Sequence, residues 1–160
     1  DANQGWPTKE HALMMCQWLA DQGVVMIEQP MPKHMNEEHA WLCEQVNLPI
    51  LADEACQTYD DVEKLAPYYD GINIKLMKCG GVAEARKMIA LARELGMQVM
   101  IGCMTETRAG ISAATILSPL VDYADLDGHV LIANDPYDGI QIVDGKLTLV
   151  DKPGTGVSPL

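Results

Sequence analysis

Residues 71–81 read GINIKLMKCGG. The first half alternates like a buried strand and then runs into a glycine pair, the mark of a turn. Lys75 breaks the pattern. It stands between Ile74 and Leu76, where a buried strand should be apolar, and a lysine is costly to bury unless it is paired or working. Strand alternation puts Asn73, Lys75 and Met77 on one face. Lys78 falls out of that step and is expected in the loop entering the next helix. A strand that ends on a charged group and turns into a helix is one unit of a βα repeat, and the rest of the chain is read against it.

Outward from this stretch, helices and strands alternate. Towards the C-terminus, Val82 to Leu95 is rich in Ala, Leu, Arg and Glu and reads as a helix closed by Gly96. MQVMIG (97–102) is a strand, Arg108 to Leu117 a helix of small residues, and VDYADLD (121–127) a strand. Towards the N-terminus, Thr8 caps a helix over Lys9 to Asp21, and Val24 to Glu28 is a short strand stopped by Pro30. Asn36 caps a helix over Glu37 to Val46. A strand starts at Pro49, and Thr58 caps a short helix that stops before Pro67. The tail differs: IQIVDGKLTLV (140–150) predicts a hairpin turning at Asp144-Gly145.

Regular βα alternation means a parallel sheet covered by helices. Strand starts recur roughly every 25 residues, the period of a TIM-type (β/α) barrel. A flavodoxin-like open sheet is the alternative; a dinucleotide fold is disfavoured because no GxGxxG follows a strand.

In a barrel the working residues sit at the C-terminal ends of strands. Three strands here end in Glu28, Asp53 and Lys75, and Asp1 fits the same rule if it closes a strand. The intervals are 27, 25 and 22 residues, about one βα unit each. Three carboxylates on neighbouring strand ends repel one another without a cation, and hard oxygen ligands suit Mg²⁺. The bland alternative is three solvated strand ends. Lys75 beside a cation and shielded from water would have a lowered pKa and could act as a general base. Its bland alternative is an ion-pair partner for one of the acids.

Composition narrows the partners. The net charge is -12, which excludes nucleic acid binding through clustered Lys and Arg. No apolar run reaches the ~18 residues of a membrane helix. Five scattered cysteines without a CxxC pair predict a reduced, cytoplasmic protein and no zinc site. A small-molecule partner is expected, and a homo-oligomer is compatible with the sequence.

The words DANQGW (1–6), IEQP (27–30), LADE (51–54), NIKLMKCGG (73–81), IGCMTET (101–107) and DLDG (125–128) follow one another in an order and spacing that resembles the enolase superfamily, in its muconate lactonizing subgroup. The Asp125-x-Asp127 pair resembles the dipeptide epimerases. The resemblance implies that Asp1, Glu28 and Asp53 ligate Mg²⁺, that Lys75 is one of two acid/base lysines, and that Asp125 and Asp127 hold the ammonium group of a dipeptide substrate. Asn3 would support the site and Glu106 would line the pocket; His129 is given no role. The reaction implied is 1,1-proton transfer at an α-carbon through a metal-stabilised enolate.

The resemblance also implies parts that these residues do not contain. They are an N-terminal α+β capping domain and two earlier strands, the second with a partner lysine in a Lys-x-Lys pattern. Residues 1–160 are therefore expected to be a single domain, the C-terminal part of an enolase-like barrel with about strands three to eight, of weak or no activity alone. The tail hairpin would pack on the capping domain. Alternatives on the same fold are a muconate cycloisomerase or an o-succinylbenzoate synthase. Their substrates carry no ammonium group to match Asp125 and Asp127. A non-catalytic fragment is the third.

Overall fold

Short apolar strands need cover, and the chain places a helix between each pair of consecutive strands of its parallel sheet. The computed structural model of the protein describes residues 1–160. Helix α1 (Lys9–Asp21) begins where the Thr8 hydroxyl accepts the His11 amide at 3.2 Å. It leads to strand β1 (Ile27–Glu28), helix α2 (Asn36–Gln45) and strand β2 (Ile50–Ala52). Helix α3 (Tyr59–Leu65) starts with a capping box between Thr58 and Asp61. Strand β3 (Gly71–Lys75) runs straight into a one-turn helix, α4 (Leu76–Cys79), and then α5 (Val82–Glu94). Strand β4 (Gln98–Gly102), helix α6 (Arg108–Thr115) and strand β5 (Tyr123–Ala124) complete the repeat. In the tail, β6 (Tyr137–Asp138) pairs antiparallel with β9 (Ser158–Pro159), and β7 (Gln141–Val143) with β8 (Lys146–Thr148). The β7–β8 hairpin turns at Asp144 and Gly145, with φ of 50° and 73°, as the Asp-Gly pair predicts.

The five main strands form one parallel sheet in the order β1-β2-β3-β4-β5. Sequential order with a helix between each pair of consecutive strands is barrel topology, and the sheet curls as an incomplete TIM-type (β/α) barrel. The segment before α1 is not a strand. It still rides on the end of β1: the amides of Ala2, Gln4 and Trp6 donate to the carbonyls of Glu28, Gln29 and Pro30.

Alternation along the strands sorts their side chains. Ile27, Ile50, Ala52, Ile72, Ile74, Val99 and Ile101 join the main apolar core under the helices, with Leu42, Val62, Met88 and Ile111. Leu51, Asn73 and Met100 point to the other side, the concave face of the curl. Lys75 shares that face with Asn73 at the last step of β3. It is therefore not buried in the apolar core, and the anomaly in the sequence is resolved by parity.

Strands are shorter than the sequence predicts. Val24 to Met26 lie outside β1, and Asp125 to Asp127 lie beyond β5. Of these, Val24 and Leu126 pack on the core without ladder pairing, while Val25, Asp125 and Asp127 are exposed, and sequence patterns do not separate core packing from pairing.

Candidate functional site

The ends of β1 and β2 and the segment that rides on β1 bring three carboxylates together. Oxygens of Asp1, Glu28 and Asp53 lie within 4.8 Å of one another. Glu28 and Asp53 are buried, and Asp1 is exposed. Each is held by a neighbour. Asn3 donates to Asp1 twice, from its amide to Oδ1 and from Nδ2 to Oδ2, both at 2.7 Å. Asn73 Nδ2 donates to Glu28 Oε1 at 2.6 Å. The backbone of Asp53 is fixed by Gln29, whose side-chain oxygen accepts from the amides of Asp53 and Ala55 at 3.0 and 3.1 Å. Gln29 is fully buried, and its Nε2 donates to Tyr69 Oη and Met31 O.

Two lysines answer these acids. Lys75 Nζ lies 2.7 Å from Asp53 Oδ2 and 4.0 Å from Glu28 Oε1. Lys78, expected in the loop entering the next helix, is in the site. Its Nζ donates to Asp53 Oδ1 at 2.5 Å, to Asp53 O at 2.8 Å and to Asn73 O at 3.1 Å, and its side chain is only 6% exposed. The reason is α4. The chain leaves strand geometry at Lys75, and three residues along a helical turn return to the same side. Met77, which strand alternation aligns with Lys75, is 68% exposed instead. The signal was present as a Lys-x-x-Lys spacing, but it reads so only if a helix starts within the strand word.

The charges shape each other. Burial pushes the Glu28 carboxyl above its ordinary value, and the Asp53 charge adds to this against the opposing Asn73 hydrogen bond and Lys75 charge. Burial also pushes Asp53 up, but hydrogen bonds and charge from Lys75 and Lys78 outweigh it and hold Asp53 below its ordinary value. For Lys75, burial favours the neutral amine, yet the Asp53 bond and the Asp53, Glu28 and Glu54 charges raise its pKa. The rise follows from the carboxylates within reach of Lys75, and a lowering is expected only beside a cation.

The remaining sequence candidates form a second group on the same rim. Asp125 and Asp127 follow β5, are exposed, and flank the buried Leu126, so both lie on the side opposite the core. Glu106 follows β4; its Oε1 accepts the Met104 amide at 2.9 Å, folding the carboxylate back towards Gly110 of α6. All three crowd Cys103, whose thiol is pushed up first by burial and then by the Asp125, Glu106 and Asp127 charges. No hydrogen bond or ion pair joins this group to the Asp1–Glu28–Asp53 cluster. His129 is buried in the 3₁₀ turn after Asp127, away from solvent.

A curled parallel sheet of βα units, with acids and lysines gathered at the C-terminal ends of its strands, defines a barrel protein that works at that rim. The chain belongs to the enolase C-terminal domain-like family, whose model matches residues 1–160. It is 56% identical over 157 residues to the L-Ala-D/L-Glu epimerase of Bacteroides thetaiotaomicron, covering 98% of this chain and 41% of that protein. Against the hydrophobic dipeptide epimerase of Roseobacter litoralis the identity is 40%, over 98% of this chain and 45% of the relative. A solved dipeptide epimerase of Enterococcus faecalis, complexed with Mg and L-Leu-L-Tyr, superposes with a TM-score of 0.90 at 38% identity, over 99% of this chain and 47% of that one. The Cytophaga hutchinsonii dipeptide epimerase, complexed with Mg and D-Ala-L-Val, gives 0.90 at 29%, over 100% and 45%. The chain therefore spans less than half the length of these relatives.

Proposed function

We propose that this chain carries the cation site and one acid/base face of a dipeptide epimerase. The observation that carries the reading is the convergence of Asp1, Glu28 and Asp53 oxygens within 4.8 Å, with Lys75 Nζ against two of them. An all-oxygen donor set of this kind fits Mg²⁺, and Asp1, Glu28 and Asp53 would hold it. Bound there, Mg²⁺ supplies positive charge that stabilises an enolate developing on a substrate carboxylate.

The chain's own residues do the rest. Lys75 Nζ removes the α-proton from one face of the dipeptide, or returns it. Lys75 has a single hydrogen bond, to Asp53 Oδ2, so its ammonium has donors free to reorient. Asn3 and Asn73 orient Asp1 and Glu28. Asp125 and Asp127, exposed on the same rim, receive the substrate ammonium group, and Glu106 lines that side of the pocket. Their exposed pair of charges favours the epimerase over the cycloisomerase and synthase alternatives. Inversion needs a second proton carrier on the opposite face. Lys78 is the other lysine at the cluster and its donors are committed, so the second carrier is supplied from outside residues 1–160.

The test is isotopic. The full-length gene product is incubated with Mg²⁺ and a dipeptide library in D₂O, and the α-carbons are examined by mass spectrometry. One deuterium per turnover at a single α-carbon is expected, and no incorporation into any dipeptide would sink the reading.

A further inference from the structure

The two lysines at the cluster are bound very differently. An ammonium has three donors. All three of Lys78 are met, two of them by backbone carbonyls, at the end of β2 (Asp53 O) and within β3 (Asn73 O). Its place is set by the sheet and not by charge attraction alone. Lys75 has one hydrogen bond and no backbone acceptor. Any cation that reaches the carboxylates can displace Lys75 from Asp53 Oδ2 at the loss of that bond. Displacing Lys78 would break three hydrogen bonds at once, although the Asp53 carbonyl would keep the Cys56 amide at 3.0 Å.

Asp53 is consequently gripped from behind at two points. Gln29 holds its amide and Lys78 covers Oδ1, which leaves Oδ2, held only by the displaceable Lys75, as the oxygen open to a cation. We propose that Lys78 is a positioning residue that restricts Asp53 to one-oxygen ligation and so sets the preference of the cluster for Mg²⁺ over Ca²⁺. The chemistry follows from coordination habits. Mg²⁺ takes six ligands in strict octahedral geometry through one or two protein carboxylates and waters; Ca²⁺ takes six to eight and readily uses both oxygens of a carboxylate. Covering one oxygen of a buried carboxylate penalises the larger ion selectively. The inference rests on the cation reading of Asp1, Glu28 and Asp53.

Calorimetric titration of Mg²⁺ and Ca²⁺ into the full-length gene product, without dipeptide, tests it. The wild type is expected to favour Mg²⁺. In Lys78→Met the Ca²⁺-to-Mg²⁺ affinity ratio rises about tenfold, within the range seen when groups behind a metal ligand are removed. Lys78→Arg, which keeps a donor for Asp53, retains the wild-type ratio. An unchanged ratio in a Lys78→Met protein with a wild-type circular dichroism spectrum overturns the proposal. Should that variant not fold, a crystal of the wild type grown with Mg²⁺ decides. Lys78 Nζ remaining on Asp53 Oδ1 supports the proposal; both Asp53 oxygens on the ion, or a Lys78 that has left, overturns it. A wild type that binds neither ion removes the cation reading itself, and this inference with it.

Discussion

Lys75 and Lys78 are three residues apart and share Asp53, yet they are suited to opposite duties. Freedom of movement belongs to Lys75, and permanence to Lys78. Lys75→Ala is therefore expected to lower α-proton exchange by about 10²- to 10⁴-fold, the usual contribution of a general acid/base. Mg²⁺ affinity measured by calorimetry should stay near that of the wild type; a collapse would make Lys75 structural instead. The acids carry their own prediction. Glu28 has a raised pKa in the fold, so stability falls as the pH rises from its ordinary value through the raised one; Asp53 has a lowered one, so its contribution is full above its ordinary value and is lost as the pH falls through the lowered value. In chelator, acidification from neutrality should first stabilise the protein as Glu28 takes up its proton, and then destabilise it as Asp53 does. Glu28→Gln should melt higher than the wild type at neutral pH in chelator and lack the first of these phases. Thermal melts across pH decide it, and identical profiles for the two proteins would contradict the assignment.

At the scale of elements, the register between β3 and β4 is what keeps Glu28 in place. Lys75 sits opposite Gly102, and a Cβ at Gly102 would stand 2.6 Å from the amide oxygen of Asn73, the residue that holds Glu28. Gly102→Ala should destabilise the fold by about 1–3 kcal/mol through overpacking and also weaken Mg²⁺ binding by turning Asn73 off Glu28. Urea midpoints read the first effect and cation titration the second; loss of stability with unchanged Mg²⁺ affinity would show that Asn73 can adapt. Elements also show where a sequence stops being legible. The helices over 9–21 and 82–94 and the Asp144-Gly145 turn are legible because each has a cap or turn residue beside a clear period, and the helix over 108–115 because of its run of small residues. Glu28, Asp53 and Lys75 are legible because each ends an apolar run at one βα interval, and Asp1 because it stands one such interval before Glu28. Helix α4 is not, since four residues are too few to show a helical period, and Lys78 is misplaced with it. Asn73 and Gln29 are also not legible as site supports. Their polarity is visible, but only the tertiary pairing of β1, β2 and β3 gives them Glu28 and Asp53 as partners.

The whole molecule is a sheet with two ends. β1 is flanked by residues 2–6, whereas β5 presents a ladder edge with no strand beside it. Bare edges invite pairing with another strand, while a net charge of -12 repels like copies. Residues 1–160 produced alone should therefore self-associate, and increasingly so with added salt as the repulsion is screened. Light scattering after gel filtration tests this; a sharp 17.5 kDa monomer at all salt concentrations would mean that the tail or α6 covers the edge. The one-turn helix α4 has a final consequence, for how such a chain can change over generations. A helix advances about 100° per residue, so one residue inserted between Leu76 and Met77 would swing Lys78 off Asp53 without altering any side chain of the cluster. Length is free to drift at the Asp144-Gly145 turn, far from these groups. Between Lys75 and Lys78 it is not: there the count of residues is itself inherited machinery, whatever the two residues in between.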